Sequence, residues 1–192
     1  MDPYMQRLLK FSDALNTFVD RVGRLAAWLA VAMMLVILTD VILRRYFIIG
    51  STKLQDLEWH LHGGLFLLCL GFGYLRGAHV RIELVWERFS QRTKVAIEAL
   101  GCLLFLLPYC AAILKFGFDY AEMSYLNQEV SASSTGLPMR WIIKFVLVAG
   151  FGILAMAGVA TLIRALIFLF GPAHLREAAR IEAITDDTPQ AV

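Results

Sequence analysis

The sequence is poor in residues that do chemistry. It has four histidines and three cysteines in 192 residues, and charged side chains make up only 18% of it. His-Glu-x-x-His, Gly-x-Ser-x-Gly and the glycine-rich phosphate loop are all missing, which removes common metalloprotease, hydrolase and nucleotide-binding signatures. Cys69, Cys102 and Cys110 are odd in number and lack metal-ligand spacing, so they read as reduced packing residues. A net charge of +2 leaves no clustered basic footprint for nucleic acid. Period-two alternation is absent, which argues against a membrane barrel. No small-residue cleavage site follows the first apolar run, so that run does not read as a removable signal peptide.

Apolar length is what the chain has in abundance. Hydrophobic residues make up 59% of it, more than a soluble domain needs. They gather in four runs, Leu25–Leu43, Trp59–Leu75, Val95–Phe118 and Trp141–Phe170. Each comes close to or exceeds the ~20 residues that cross ~30 Å of hydrocarbon. The expected fold is an all-α membrane protein with four transmembrane helices, spanning 25–47, 57–76, 95–118 and 141–170. They form one domain over 1–175, with a tail at 176–192 that is disordered at its end. Twelve of the eighteen Lys and Arg residues fall in the N-terminal segment, in the loop between spans two and three, and around the C-terminus. By the positive-inside rule both termini face the cytoplasm.

Shorter amphipathic stretches flank the runs. Tyr4, Leu8, Phe11, Leu15, Phe18 and Val22 recur at steps of four and three, which predicts an amphipathic helix lying in the interface or against a partner. An uninterrupted extension of the first span is the simpler alternative. Leu54, Leu57 and Leu61 predict a short helix lying flat on the outer face, and Val80 to Phe89 another surface segment inside. Small residues mark packing faces: Gly73-xxx-Gly77 in span two, and Ala149, Gly152, Ala155 and Gly158 in span four.

Ionisable residues inside spans are costly and count as functional candidates. Asp40 precedes Arg44 by one turn, the favourable order for a helical ion pair. Glu98 and Arg164 lie at similar depths on spans three and four and form a second candidate pair. Pro108 bends span three and frees the carbonyl of Leu104. His60 and His62 point about 200° apart on a helix, so they cannot hold one ion together. Spans one, three and four contain no histidine to face them across a haem. No polar path crosses the midplane and no span is broken there, which disfavours a self-sufficient exporter.

The pattern from Asp40 to Arg164 resembles the small membrane subunit of TRAP (tripartite ATP-independent periplasmic) transporters. Arg45-Tyr46-Phe47 ends the first span as in that family, and Glu58 precedes the second. "GFGYLRGAHVRIE" places Arg76, His79, Arg81 and Glu83 at the family's positions, with Glu where Asp is frequent. "NQEVSASSTGLPMRWIIK" supplies Glu129, Ser131, Gly136, Leu137, Pro138, Arg140, Trp141 and Lys144. Only Asp56 and Glu58 stand for an acidic pair that is often adjacent.

The resemblance implies a non-enzymatic scaffold and membrane anchor for a large subunit that binds the organic acid and sodium. This chain would then hold no cofactor and no metal. The partners implied are that large subunit, a periplasmic binding protein and the lipid of a bacterial inner membrane. Glu58, His60, Arg76, His79, Arg81, Glu83, Glu129, Arg140 and Lys144 become contact candidates. The longer external loop is similar to that of members linked to 2-oxo acids and related monocarboxylates. A four-helix haem-b anchor of a redox complex is the alternative.

Overall fold

The computed structural model describes residues 3–78, 89–133 and 135–181. The described chain is helical and contains no strand. Helix α1 runs over Pro3–Tyr46, α2 over Thr52–Leu75, α3 over Gln91–Leu126 and α4 over Trp141–Phe170, with a short α5 at Ala173–Arg176. Three of these, α1, α3 and α4, are long and apolar enough to cross a membrane. Helix α2 has the length, 24 residues, but Glu58, His60, His62 and a glycine pair dilute its apolar content.

Two of the surface helices expected from the sequence are not separate elements. The amphipathic N-terminal stretch continues into the first apolar run as one 44-residue helix. Over residues 4–26 its buried positions are Leu9, Ser12, Val19, Gly23 and Ala26, while Tyr4, Phe11 and Phe18 are exposed. The expected apolar stripe therefore lies mostly beside the buried face. The flat segment around Leu54 is likewise the first turns of α2, started by Ser51, whose hydroxyl accepts the Leu54 N–H at 3.4 Å. The expected surface segment around Val80 to Phe89 falls almost wholly outside the described residues.

Helix ends follow local chemistry. Ser90 caps α3 by accepting the Thr93 N–H at 3.3 Å. At the end of α2, Gly77 sits at φ 65°, and Ala78 and Gly77 donate to the carbonyls of Gly73 and Tyr74. This is the Schellman closure that favours glycine. Gly77 is thus a stop signal, whereas the Gly73-xxx-Gly77 spacing suggested a packing face. Helix α3 ends the same way on Gln128 at φ 47°, with Gln128 and Glu129 donating to Tyr125 and Ser124. Inside α3 the turn Cys102–Leu106 is a π-helix, and Leu107 donates to Cys102, five residues back. It lies just ahead of Pro108, which has no N–H and crowds the carbonyl four residues before it.

The described chain groups into two compact units. The first comprises the described residues within 1–20, 71–110 and 154–192. Its core joins Leu9 of α1, Ile167 of α4, and Leu175 and Ala179 beyond it, and a second cluster joins Val95, Ala99 and Ala165. Gly171-Pro172 stops α4, and the chain then folds back into the core as far as Ala179. The second unit comprises 21–70 and 111–153. Here α4 approaches α2 so closely that a Cβ on Gly150 would stand 2.5 Å from the carbonyl oxygen of Leu67.

Helix α4 is the most buried of the three apolar helices. Within its most apolar stretch 39% of residues are buried, against 11% in α1 and 17% in α3. Its buried small residues are Gly150, Ala157, Gly158, Ala160 and Ala165. That face is rotated from the expected one, since Ala149 is exposed and Ala155 half-buried. Gly150→Val should lower the melting temperature in detergent by the equivalent of about 1–3 kcal/mol, the usual cost of overpacking. Gly101→Ala, at a helical glycine with nothing within 4 Å of the added carbon, should leave it unchanged or raise it.

Candidate functional site

In the second unit, the loop between α3 and α4 folds onto the first turns of α2. Asp56 accepts the backbone N–H of Leu137 at 2.9 Å. The Thr52 hydroxyl donates to the Thr135 carbonyl at 3.0 Å and lies 2.7 Å from the Thr135 hydroxyl. The loop also closes on itself. Ser131 N–H donates to the Leu137 carbonyl and Arg140 N–H to the Glu129 carbonyl, both at 3.1 Å. The carboxylate of Glu129 pairs with Lys144 on the first turn of α4. Lys144 is buried and lies over the Tyr120 ring, 3.6 Å from its centroid.

The loop sequence fits this geometry residue by residue. Gly136 has to be glycine, because an added Cβ would run into the Ser131 side chain and the Asp56 carboxylate. Leu137 brings its N–H to that carboxylate. Met139 takes a left-handed φ of 64° where the chain turns into α4. Trp141 packs edge-on against Tyr125 and Phe145, tying the end of α3 to the start of α4.

Two carboxyls in this bracket are held in their charged form. The Leu137 N–H, then the Ser131 hydroxyl, lower Asp56 below the usual carboxylate range, against a smaller opposing effect of burial. Lys144 lowers Glu129 in the same direction. His60, one turn on from Asp56, has Nδ1 2.6 Å from the Asp56 carbonyl oxygen. His62 is exposed. The polar residues that open α2 thus divide: Asp56 and His60 make contacts within this chain, and Glu58 lines a cleft beside α1.

The ion-pair candidates also divide. Asp40 and Arg44 are paired. Glu98 and Arg164 are not brought together. Arg164 pairs instead with Asp13 of α1, donates to the Ser12 hydroxyl at 3.2 Å, and reaches the carbonyls of Ala178 and Arg180. Ser12 in turn donates to the Ala160 carbonyl at 3.0 Å. Glu98 accepts from the Tyr74 hydroxyl at 2.7 Å. Similar depth on two helices does not set which way each side chain faces. Arg76 pairs with Asp20 and lies over the Phe72 ring. His79, Arg81 and Glu83 lie outside the described residues. Asp13, Asp20, Ser12 and Tyr74 had no signal in the sequence, since their partners are far away along the chain.

This arrangement fastens helices and loops. Among the described residues no group of three or more His, Cys, Asp and Glu side chains is gathered in a way that could hold a metal ion. Nothing favours the haem-b alternative: His60 is tied to its own helix, and the other described histidines are His62 beside it and His174 in α5. The family model described as "Tripartite ATP-independent periplasmic transporters, DctQ component" matches residues 33–168. No curated protein and no solved structure matches the chain.

Asp56→Ala should lower the melting temperature at neutral pH by the equivalent of about 1 kcal/mol, the typical net worth of one hydrogen bond. Because the folded-state pKa of Asp56 is depressed, its contribution is complete above the unfolded value of about 3.9 and is lost as the pH falls through the folded value. Melting curves of wild type and variant should therefore differ by a constant amount from pH 8 to about 5 and converge only below about 4.

Proposed function

Since the chain belongs to the DctQ family of tripartite ATP-independent periplasmic transporters, we propose that it is the scaffold and membrane anchor of a sodium-coupled system for organic-acid uptake. It is a multi-pass membrane protein, the small membrane subunit of such a system. The observation that carries the scaffold role is the apolar surface left uncovered: most residues in the apolar stretches of α1 and α3 are not buried by this chain. Lipid and the helices of a large transport subunit are the surfaces that would cover them. The subunit catalyses nothing and binds no cofactor of its own; sodium and substrate belong to the large subunit.

In this reading α2 is the fourth span. The part of α2 from residue 57 onward nearly crosses ~30 Å of hydrocarbon at ~1.5 Å per residue; Asp56 lies just outside it, and Glu58, His60 and His62 sit at its end nearest the α1–α2 turn. The distribution of Lys and Arg puts both termini and the α2–α3 loop in the cytoplasm of a bacterial inner membrane. The bracketed α3–α4 loop then faces the periplasm. There Glu58, Arg140 and the loop edge can meet the large subunit or the substrate-loaded binding protein. Arg76, His79, Arg81 and Glu83 serve the same purpose inside. The length of the bracketed loop favours 2-oxo acids or related monocarboxylates as cargo.

Purification in mild detergent through a tag on this chain should bring down one much larger polytopic membrane protein. The chain alone in sodium-loaded or sodium-free liposomes should move no organic acid. Transport by the chain unaccompanied, or its recovery as a solitary protein from cells making the whole system, would overturn the scaffold role.

A further inference from the structure

The corner between α1 and α2 in the second unit contains an open cleft of about 560 Å³, within the ~300–1,000 Å³ range of small-ligand sites. Its polar lining is two acids, two bases and one amide: Asp40, Arg44 and Arg45 from α1, and Glu58 and Gln55 from α2. Ile37 and Val41 form an apolar flank, and Trp59 completes the wall. Asp40 is 4% exposed, and one of its carboxylate oxygens pairs with Arg44. The other, Oδ1, is buried without a hydrogen-bond partner. A buried carboxylate oxygen without a donor is costly, and such atoms in native structures are normally satisfied. Among the described residues, Arg45 and Glu58 make no ion pair, so the cleft has charge of both signs still to be matched.

We propose that this cleft binds the headgroup of a zwitterionic aminophospholipid of the phosphatidylethanolamine type. The ammonium meets Asp40 and Glu58, and the phosphate meets Arg44 and Arg45. Three features select this chemistry. Two negative and two positive groups balance, which suits a zwitterion better than an anionic headgroup. An acceptor lacking a donor calls for an N–H group, which a primary ammonium has and a quaternary choline lacks. A choline would also favour a cage of several aromatic rings, and here there is one.

The apolar flank decides for a lipid over a free phosphoamine. Ile37 and Val41 are both exposed and lie just before the end of the first apolar run, where an acyl chain would continue from a headgroup. Trp59 is 74% exposed, at the depth where indole rings favour the membrane interface. The proposal rests on the reading of α1 and α2 as membrane helices. It does not depend on the transporter role.

Native mass spectrometry of the full chain, released from nanodiscs of equimolar phosphatidylethanolamine, phosphatidylcholine and phosphatidylglycerol, tests it directly. One phosphatidylethanolamine should be retained, favoured over each of the other two by about ten-fold, which corresponds to ~1.4 kcal/mol. Glu58→Gln should abolish the preference over phosphatidylcholine, and Arg45→Gln should weaken retention of both equally. Neither residue is in the buried core, so loss of folding does not confound them; Asp40→Asn, which disturbs a buried pair, serves as a third arm. Equal retention of the three lipids, or an unchanged preference in Glu58→Gln, would overturn the proposal. Displacement of the lipid by millimolar free phosphoethanolamine would overturn the assignment to lipid. The measurement needs no large subunit, so its failure and a failure of the scaffold role are separate results.

Discussion

A chain of long apolar helices that does not cover its own surface sets the terms for the rest of this structure. In a bilayer every backbone group must be satisfied within its own segment, so the spans must be helices. Lipid tails are as apolar as leucine, so the hydrophobic effect does not drive the helices together; close contact and polar fastenings must. Helix α4 supplies the contact. Gly150 against Leu67 and Gly158 against Leu106 remove side chains where neighbours come closest. Helices α1 and α3 keep much of their apolar surface facing outward.

The polar fastenings sit toward the ends of the helices and differ between the two units. In the second unit, Asp56, Glu129 and Lys144 hold the α3–α4 loop onto α2 and α4. In the first, Arg164 gathers Asp13, Ser12 and two carbonyls of the segment after α4, while Tyr74 spans to Glu98. Buried Lys144 pairs with Glu129 and buried Asp40 with Arg44, and local pairing is the usual condition for keeping ionisable groups at membrane depth. Such pairs fasten helices, and each pair named here, among the described residues, lies within one unit. That is the physical basis for reading the subunit as support for transport carried out by another chain.

Much of this was legible in the residues, for identifiable reasons. Helices and apolar runs follow from length and composition, and the Asp40–Arg44 pair from i,i+4 spacing on one helix. The Gly-Leu-Pro-x-Arg-Trp pattern was visible, but its partner Asp56 lies 81 positions earlier, and no local rule connects them. The Glu98–Arg164 pair failed because axial depth was known and rotation was not. Gly77 read as a packing residue because glycine serves both close approach and left-handed turns, and only its φ separates the two. The N-terminal stretch carried an interfacial pattern, yet no stop signal divides it from the first span, and it runs on as one helix.

The uncovered apolar surface of α1 and α3 is the central feature, and in-cell photo-crosslinking reads it directly. A photoreactive residue placed in turn at Leu35, Leu38, Leu104 and Phe105, all exposed, should give adducts with one large membrane protein at some of these positions and with lipid at the rest. Adducts with lipid alone at every position, or only with a second copy of this chain, would contradict a subunit built to support another.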